Sequence, residues 1–299
     1  MREYAGTLVA VVGASGFIGR QVARRLAEEG ARVFTIGRKD ITDLESIYRR
    51  ERPSITFNLA GYGIDPHERE AAAAESINAC LPRLLAETVA KWRDPAWPGQ
   101  HFVHIGSGAE YGDAGGDLRE DGPARPGTLY ARTKWRGTTA VEDAAKASSL
   151  RAAIARLFTV YGPDERAGRL LPSLLETKRT GQPLDLSSGM QRRDFTYVED
   201  ASEGLLRLGL VRKSACGIVN LATGKLTTVR TFVETAAGIL RVPPENLKFG
   251  VIPANAHEMQ HDSIALERLV KLVGWIPPTT IGEGVRKTVE SGLLKERKP

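Results

Sequence analysis

Tyr130 and Lys134, a tyrosine and a lysine four positions apart, form the pair in the sequence best suited to acid–base chemistry. Residues at this spacing lie on the same face of a helix. A tyrosine hydroxyl has an ordinary pKa near ~10, so by itself it transfers protons poorly at neutral pH. A neighbouring lysine cation stabilises the phenolate and lowers that pKa. The pair therefore indicates a general acid–base catalyst, although the same spacing also occurs by chance on surface helices.

Ser107 is a third residue suited to this chemistry. It follows the apolar segment 101–105, which reads as a strand. Ligands of doubly wound sheets bind at the carboxyl ends of the strands, so Ser107 lies at the expected edge. A hydroxyl there can hydrogen-bond the carbonyl oxygen that Tyr130 protonates. We therefore predict that Ser107, Tyr130 and Lys134 act together.

A glycine-rich turn supplies a predicted phosphate-binding site. Gly13, Gly16 and Gly19 lie in the segment GASGFIG, between a short apolar strand and an amphipathic helix. The first glycine permits a tight turn, the second lets the backbone approach a pyrophosphate, and the third allows close packing of helix and strand. The helix N-terminus adds partial positive charge. The turn therefore predicts a dinucleotide cofactor, although its spacing is GxxGxxG and not the GxGxxG of the larger dehydrogenases.

The end of the second predicted strand indicates which dinucleotide binds. An acidic residue there would bind the 2′-hydroxyl of NAD, but the chain has Gly37 followed by Arg38 and Lys39. Arg38 offers a cation where the 2′-phosphate of NADP would lie. We expect NADP, with NAD as the less favoured cofactor. A solvated loop arginine is the plainer alternative for Arg38.

The elements that must position these residues alternate along the chain. Apolar segments at 8–12, 32–36, 55–59, 101–105 and 153–158 are separated by helical segments, including a long one at 68–91. This alternation predicts an α/β fold, a Rossmann-type doubly wound parallel sheet with a smaller C-terminal α/β substrate lobe. Residues 1–162, with a return segment at about 194–222, are assigned to the NADP-binding domain. Residues 163–193 and 223–299 are assigned to the substrate-binding lobe.

Taken together, these motifs resemble those of the extended short-chain dehydrogenases/reductases, the NAD(P)-dependent epimerase/dehydratase group that acts on nucleotide sugars. The resemblance covers nearly the whole chain. Besides the residues above, it rests on Asp40-Ile41-Thr42-Asp43, Asn58-Leu59-Ala60-Gly61, Asn78, Tyr111-Gly112, the segment 156–163 (RLFTVYGP), the segment 193–198 with Asp200, and Gly274-Trp275-Ile276-Pro277.

The resemblance implies a role for each matching residue. Tyr130 is the general acid–base, Lys134 binds the nicotinamide ribose and tunes Tyr130, and Ser107 orients the sugar carbonyl. Contacts to the cofactor are implied for Gly13, Ser15, Gly16, Phe17, Ile18, Gly19, Arg38, Asp40, Ile41, Leu59, Ala60, Gly61, Asn78, Tyr130, Lys134 and Leu157. Contacts to the substrate are implied for Tyr62, Ser107, Gly108, Thr159 and Arg193, the last on its nucleotide half.

Departures from the family pattern reduce the set of reactions that we expect the enzyme to catalyse. The dehydratases of the family place a carboxylate directly after the serine, but here Gly108 and Ala109 follow, and Glu110 would point away in an extended segment. The 4-epimerases usually end the second strand with aspartate, where this chain has Gly37. The layout is nearer the NADP-dependent 4-ketoreductases, which reduce nucleotide-linked 4-keto-6-deoxyhexoses as the GDP-6-deoxy-4-keto-mannose reductases do.

Three alternatives stay open. Thr159 stands where the family usually has asparagine, so the substrate could be a ketone outside sugar metabolism. An NAD-dependent nucleotide-sugar 4-epimerase is the second alternative. The third is a regulatory NADP-sensing protein that kept the fold and lost the chemistry, and the joint presence of Ser107, Tyr130 and Lys134 counts against it.

Composition excludes several other classes. The 299 residues include 42 basic and 36 acidic side chains, a net charge of +6, and 41% are hydrophobic. The basic residues are scattered, which disfavours nucleic acid and suits phosphate-bearing small molecules. No run reaches the ~20 apolar residues of a membrane span. With two cysteines, we expect a cytoplasmic enzyme, and the family resemblance implies a homodimer formed through the helices at 68–91 and 130–146.

One further motif is set aside. His257-Glu258-Met259-Gln260-His261 matches HExxH, but that pattern binds zinc only on a helix, and the preceding Pro253 and Asn255 favour a loop over the substrate site. We therefore expect no metal, and contact of His257 or Glu258 with substrate stays open. Asp262 or Ser263 is the expected N-cap of a following helix at 263–272.

Overall fold

A parallel sheet of six strands forms the centre of the computed structural model, which describes residues 3–63, 68, 70–212, 214–253, 259 and 261–296. The strands of the chain are β1 (Leu8–Val12), β2 (Arg32–Ile36), β3 (Ile55–Asn58), β4 (Phe102–Ser107), β5 (Asp117–Leu118), β6 (Ala152–Leu157), β7 (Thr159–Tyr161), β8 (Leu184–Leu186), β9 (Arg192–Tyr197), β10 (Gly217–Leu221), β11 (Leu226–Thr228), β12 (Leu247–Phe249) and β13 (Ser263–Ile264). The central sheet has the order β10-β6-β4-β3-β1-β2, and every neighbouring pair is parallel.

Helices cover both faces of this sheet. The α-helices are α1 (Phe17–Glu28), α2 (Leu44–Glu51), α3 (Ala71–Glu75), α4 (Leu81–Trp92), α5 (Leu129–Ser148), α6 (Leu170–Thr180), α7 (Val198–Leu210), α8 (Val229–Leu240), α9 (Glu267–Val273) and α10 (Ile281–Glu296). One face packs against α1 and α7, and the other against α2, α4 and α5. Because both faces are covered, the central strands are almost entirely buried. The predicted α/β fold with a Rossmann-type sheet is confirmed.

The order in which strands are added to the sheet reverses between β1 and β3. From β1 the chain adds β2 on one side, and it then returns to add β3 on the other side of β1. Such a switch point leaves a crevice at the carboxyl ends of the strands. The turns that follow the two strands are in contact there: a Cβ at Gly13 would lie 2.7 Å from the Ala60 nitrogen, and Gly13 has a φ of +78°. A Cβ at Gly19 would overlap the Gly13 carbonyl oxygen. Both positions therefore require glycine.

A separate three-stranded sheet has the order β11-β9-β7. Helices α8 and α10 pack on this sheet, and α6 packs against α8. At its centre the Phe195 ring stacks on Phe232, and Tyr161 meets Phe232 edge-on. The predicted domain boundaries placed residues 159–161 and 194–197 with the first domain. These strands hydrogen-bond to one another and not to the central sheet. The chain therefore passes from one sheet to the other within the segment 157–159.

Two predicted helix boundaries are wrong. The long helix begins at Ala71, not at residue 68, and a π-helical turn at Ser76–Cys80 interrupts it before α4. Ser263 is in β13, which pairs with β5, so neither it nor Asp262 caps the next helix; α9 begins at Glu267 after Leu266. In both places, pairing with a distant segment overrides local helix signals. Within the described residues, no helix combines the length and apolar character needed to cross a bilayer.

Helix α5 contacts the π-helical turn so closely that Gly137 admits no side chain. We predict that Gly137→Ala lowers the free energy of unfolding by about 2 kcal/mol or more, because the added methyl would overlap the Asn78 carbonyl oxygen. This cost exceeds the gain of about 1 kcal/mol that alanine brings to a helix interior. Urea unfolding measures the change.

Gly238 of α8 is the matched control, because a Cβ there meets no atom within 4 Å. Gly238→Ala should leave stability unchanged or raise it by up to about 1 kcal/mol. Equal effects of the two substitutions would contradict the close contact between α5 and the π-helical turn.

Candidate active site

Two cavities meet at the carboxyl end of β4. The first, of about 180 Å³, lies over the switch point, and the second, of about 370 Å³, lies toward the three-stranded sheet. Ser107, Leu157 and Phe158 line both cavities. A molecule bound in either cavity would therefore reach the Ser107 side chain.

The first cavity gathers most residues near the glycine turn that were predicted to bind the cofactor. Its lining includes Gly16, Phe17, Ile18, Leu59, Gly61, Ser107, Tyr130, Lys134 and Leu157. Gly13, Ser15, Gly19 and Ala60 build the turns behind this lining. Arg38, Asp40, Ile41 and Asn78 also lie outside it.

The N-terminus of α1 is open to an anion. Its N-cap is Gly16, no side chain caps it, and its first turn carries no acidic residue. The positive end of the helix dipole therefore lacks a partner from its own side chains. Together with the close contact at Gly13 and Ala60, this cradle fits the pyrophosphate of a dinucleotide.

Arg38 and Asp40 form the short 3₁₀ turn Arg38–Asp43 at the end of β2. The Asp40 carboxylate accepts a hydrogen bond from the Gly37 amide at 2.7 Å. This contact closes the turn and leaves the Arg38 side chain exposed at the sheet edge. Ile41 is half-buried and packs against the cluster of Ile36 and Leu44.

Tyr130 and Lys134 lie on one face of α5, which is capped at its start by the Thr128 side chain. Lys134 is 1% exposed, and its Nζ donates to the Ile105 carbonyl oxygen at 2.6 Å. Burial lowers the pKa of Lys134 to about 8, while the negative charge of Glu110 opposes that change.

Burial raises the pKa of Tyr130 to about 12, and interaction with the Ser107 hydroxyl opposes this rise. The direction is opposite to the one expected from the spacing to Lys134, because loss of water outweighs the charges around the phenol. In the protein alone, Tyr130 is therefore a neutral phenol at physiological pH, the protonation state of a proton donor.

Glu110 is buried beneath Ser107 and does not point away from it as the extended segment predicted. The residues after Ser107 form a 3₁₀ turn, Gly108–Tyr111, which carries the Glu110 carboxylate back to the Ser107 amide at 2.8 Å. The Ser107 hydroxyl in turn accepts from the Ala109 amide at 3.2 Å. The turn and its two hydrogen bonds fix Ser107 at the junction of the cavities.

The Asn78 side chain hydrogen-bonds to the backbone of the loop after β3, beside the first cavity. Its side-chain amide accepts from the Tyr62 amide at 3.0 Å and donates to the Tyr62 carbonyl at 2.8 Å. It also donates to Thr133 Oγ1 of α5 at 3.0 Å. Tyr62 lines neither cavity. Asn78 therefore links the loop after β3 to the helix that carries Tyr130.

The second cavity gathers the other residues predicted to contact substrate: Ser107, Gly108, Thr159 and Arg193. Phe158, which the sequence did not single out, lies between them. A Cβ at Gly108 would lie 2.6 Å from the Phe158 ring, so a larger side chain at position 108 would require this ring to move. The sequence shows only that Phe158 precedes Thr159. The contact of Phe158 with Gly108 arises because β4 and β6 pack side by side.

His261 is a second residue of this cavity that sequence reasoning missed. It is 5% exposed, lines the cavity, and neither ring nitrogen has a hydrogen-bond partner in the described part of the chain. Burial lowers its pKa, so the imidazole is neutral at physiological pH. The sequence analysis considered His261 only as part of the HExxH pattern. Among the described residues, no three His, Cys, Asp or Glu side chains form a metal cluster, and His257 and Glu258 lie outside those residues.

Glu165 is a third such residue, in the loop after β7. It lines the first cavity, and its Oε2 is buried without a hydrogen-bond partner among the described atoms. Burial raises the pKa of Glu165 to about 7, although Arg169 lies 3.4 Å from its other oxygen. Nothing in the local sequence indicates this burial.

The parallel sheet, the glycine turn at its switch point and the Tyr–Lys pair beside it define a Rossmann-type enzyme of the short-chain dehydrogenase/reductase class. Residues 9–222 match the family model described as the NAD dependent epimerase/dehydratase family. The chain belongs to this family and is an NAD(P)-dependent oxidoreductase.

Individual relatives are similar over most of their length. The chain is 30% identical to dTDP-6-deoxy-L-talose 4-dehydrogenase (NAD(P)(+)) of Kitasatospora kifunensis, with 93% of each chain covered. It is 32% identical to a probable dTDP-4,6-dihydroxy-2-methyloxan-3-one 4-ketoreductase of Streptomyces antibioticus, covering 67% of this chain and 66% of the relative. The solved structure of MoeE5 with UDP-glucose and NAD is similar with a TM-score of 0.83 at 25% identity, covering 96% of this chain and 99% of the other.

The buried Glu165 carboxyl predicts a pH-dependent stability difference. Its pKa is about 7 when folded, against an ordinary 4.5, so the folded state loses stability relative to the unfolded state as pH rises through this interval. Glu165→Gln removes that cost. We expect the variant to gain about 2–3 kcal/mol over the parent between pH 5 and pH 8.

Urea unfolding at pH 5 and pH 8 measures this gain, with Glu176→Gln, an exposed glutamate of α6, as the control. A difference between Glu165→Gln and the parent that is the same at both pH values would show that the carboxyl ionises normally.

Proposed function

We propose that this protein is an NADPH-dependent reductase of a nucleotide-linked 4-keto sugar, most simply a 4-keto-6-deoxyhexose. The observation that carries the proposal is the position of Ser107 at the junction of two cavities, with Tyr130 and Lys134 lining the first. The first cavity is assigned to the nicotinamide end of the cofactor and the second to the sugar. A ketone held between them would lie against Ser107.

The roles of the side chains follow from their protonation states. When bound, NADPH supplies a hydride to the ketone carbon. Ser107 donates its hydroxyl hydrogen bond to the ketone oxygen, since its Oγ already accepts from the Ala109 amide. Tyr130, a neutral phenol in the protein alone, gives its proton to the same oxygen. Lys134 binds the ribose and, as a cation, favours the phenolate that remains.

Reduction is favoured over water elimination by the residues after Ser107. A dehydratase needs a carboxylate there, but a side chain at position 108 would overlap Phe158. The nearest carboxylate, Glu110, is 0% exposed and hydrogen-bonded to the Ser107 amide. The relatives named as a 4-dehydrogenase and a 4-ketoreductase of dTDP-sugars support a 4-keto substrate.

The nucleotide part of the substrate is assigned to the part of the second cavity lined by Arg193 and Thr159. Arg125, Arg192 and the unpartnered imidazole of His261 also line this cavity. Guanidinium groups and neutral imidazoles suit phosphate and hydroxyl oxygens. We further propose that the protein forms a homodimer through α4 and α5, which pack side by side with Leu84 41% exposed.

We predict that Tyr130→Phe lowers the rate of ketone reduction by about 100-fold or more, because the proton donor is removed. NADPH binding should change by less than about threefold, since the ring remains. The measurement is NADPH oxidation with a panel of nucleotide-linked 4-keto-6-deoxyhexoses, combined with fluorescence titration of NADPH.

Tyr197→Phe is the matched control, because Tyr197 lines neither cavity and should keep the parental rate. Full activity of Tyr130→Phe would refute the mechanism. If the parent oxidised neither cofactor with any sugar and retained NAD through purification, a 4-epimerase would replace the reductase.

The cofactor preference is tested at Arg38. Among the described residues no carboxylate forms an ion pair with Arg38, so its guanidinium is available to a 2′-phosphate. Arg38→Ala should weaken NADPH binding about 10- to 100-fold, the effect of one charge-assisted contact, and leave NADH binding nearly unchanged. Arg50→Ala, which removes an exposed arginine of α2, is the control. Equal losses for NADPH and NADH would exclude Arg38 as the residue that selects NADP.

A further inference from the structure

Glu110 makes more buried polar contacts than its neighbours in the turn after β4. Its Oε1 accepts from the Ser107 amide at 2.8 Å and from Thr138 Oγ1 at 3.0 Å. Its Oε2 accepts from Arg156 Nε at 2.9 Å. Both Glu110 and Arg156 are essentially inaccessible, at 0% and 1% exposure. One carboxylate therefore joins the serine turn, helix α5 and strand β6.

The lack of a side chain at position 106 leaves space for the Glu110 carboxylate. Gly106 precedes Ser107 on β4, and a Cβ there would lie 2.9 Å from Glu110 Oε1 and 3.3 Å from Arg156 Cγ. The Arg156 guanidinium lies over the Tyr111 ring at 4.4 Å and the Trp135 ring at 5.4 Å. Burying an ion pair is costly unless both charges are fully hydrogen-bonded, and here Arg156 Nη1 has no hydrogen-bond partner among the described residues, so this pair is weak evidence for a role in stability.

Helix α5 connects this ion pair to the catalytic residues. Tyr130, Lys134 and Thr138 follow one another at intervals of four and therefore form a single stripe on the helix. The first residue of the stripe is the proposed proton donor, the second is its neighbouring cation, and the third hydrogen-bonds Glu110. The Glu110 carboxylate therefore lies at the Thr138 end of this stripe.

The charged and titratable groups facing Lys134 come from three elements. Tyr130 lies on α5 itself, His104 on β4, and Glu110 in the turn after β4. His104 is neutral, because burial and the Lys134 charge both lower its pKa, and its Nδ1 pairs with the Asn58 amide at 3.1 Å. Arg156 is already paired with Glu110. Glu110 is therefore the anion that acts on Lys134.

We propose that Glu110 is a positioning residue for the catalytic centre: its carboxylate fixes the Ser107 backbone and places a buried negative charge against Thr138, one helical turn beyond Lys134, where it favours the cationic form of that lysine. The proposal rests on the function proposed above for Ser107 and Lys134. Burial lowers the pKa of Lys134, and the negative charge of Glu110 acts against this change. Arg156 acts through Glu110, because it holds the carboxylate in place.

The test uses cofactor binding and does not depend on knowing the sugar. Lys134 is proposed to bind the ribose as a cation, so NADPH affinity should fall as Lys134 loses its proton. The dissociation constant of NADPH, followed by fluorescence from pH 6 to pH 9.5, should rise with a midpoint near the Lys134 pKa of about 8. In Glu110→Gln this midpoint should move down by about one pH unit. Lys134→Met should abolish the rise of the dissociation constant with pH, which would assign the titration to Lys134.

A second variant separates charge from folding, because Glu110→Gln leaves Arg156 buried without its partner. The double substitution Glu110→Gln with Arg156→Met removes both charges of the buried pair, so its midpoint should lie below the parental one but above that of Glu110→Gln, because the Arg156 cation is also gone. Glu87→Gln, the same change in an exposed ion pair with Arg83, should keep the parental midpoint. Circular dichroism confirms that each variant is folded.

Activity provides a second readout of the Ser107 contact. With any sugar that the parent reduces, Glu110→Gln should lower kcat about tenfold or more with KM changed less than about threefold, because the ketone still binds but is misaligned. A folded Glu110→Gln variant, alone or with Arg156→Met, that keeps the parental midpoint would overturn the proposal. So would a parental affinity that does not change between pH 6 and pH 9.5. If no sugar is reduced, the proposed reductase fails, yet the binding measurement still decides the role of Glu110.

Discussion

Close approach of backbone to backbone is the constraint on which the rest of this structure depends. The turn after β1 contacts the turn after β3 at Gly13 and Ala60, and α1 begins directly over the same turn because Gly19 has no side chain. On the other side, Gly137 lets α5 contact the Asn78 carbonyl. These contacts bring the phosphate cradle and the Tyr130–Lys134 face to the same end of the sheet. A methyl group at any of the three glycines would move one of the two parts of the site relative to the other.

The parts of the structure that could be predicted are those determined by local pattern. The short apolar runs correspond to the central strands, and the glycine turn and the order of Ser107, Tyr130 and Lys134 indicated the family. These signals are contained in a few neighbouring residues. The helix that begins at Ala71 and not at residue 68, and the strand at Ser263 where a helix cap was predicted, depend on distant segments. Local helix signals could not reveal either partner.

The electrostatics of the site could not be predicted for a similar reason. The spacing of Tyr130 and Lys134 suggested that the cation lowers the pKa of the phenol, but Lys134 is buried and Tyr130 is half-buried, and the loss of water has the larger effect. Glu110 was expected to point away from Ser107 in an extended chain, whereas a 3₁₀ turn brings it underneath. Its partner Arg156 lies 46 residues away in sequence. His261 and Glu165 are likewise significant only because of what surrounds them in space.

The loop after β7, which lines part of the first cavity, is held to its neighbours at two points. Arg20 of α1 donates to the carbonyls of Ser15 and Asp164, and Arg166 forms an ion pair with Glu68 at 3.0 Å. Both the hydrogen bond of Arg20 and the ion pair of Arg166 are exposed, so dissolved salt weakens them. The loop after β7 is therefore held by contacts that respond to ionic strength, whereas the turn after β4 is held by the buried contacts of Glu110, which solvent ions do not reach.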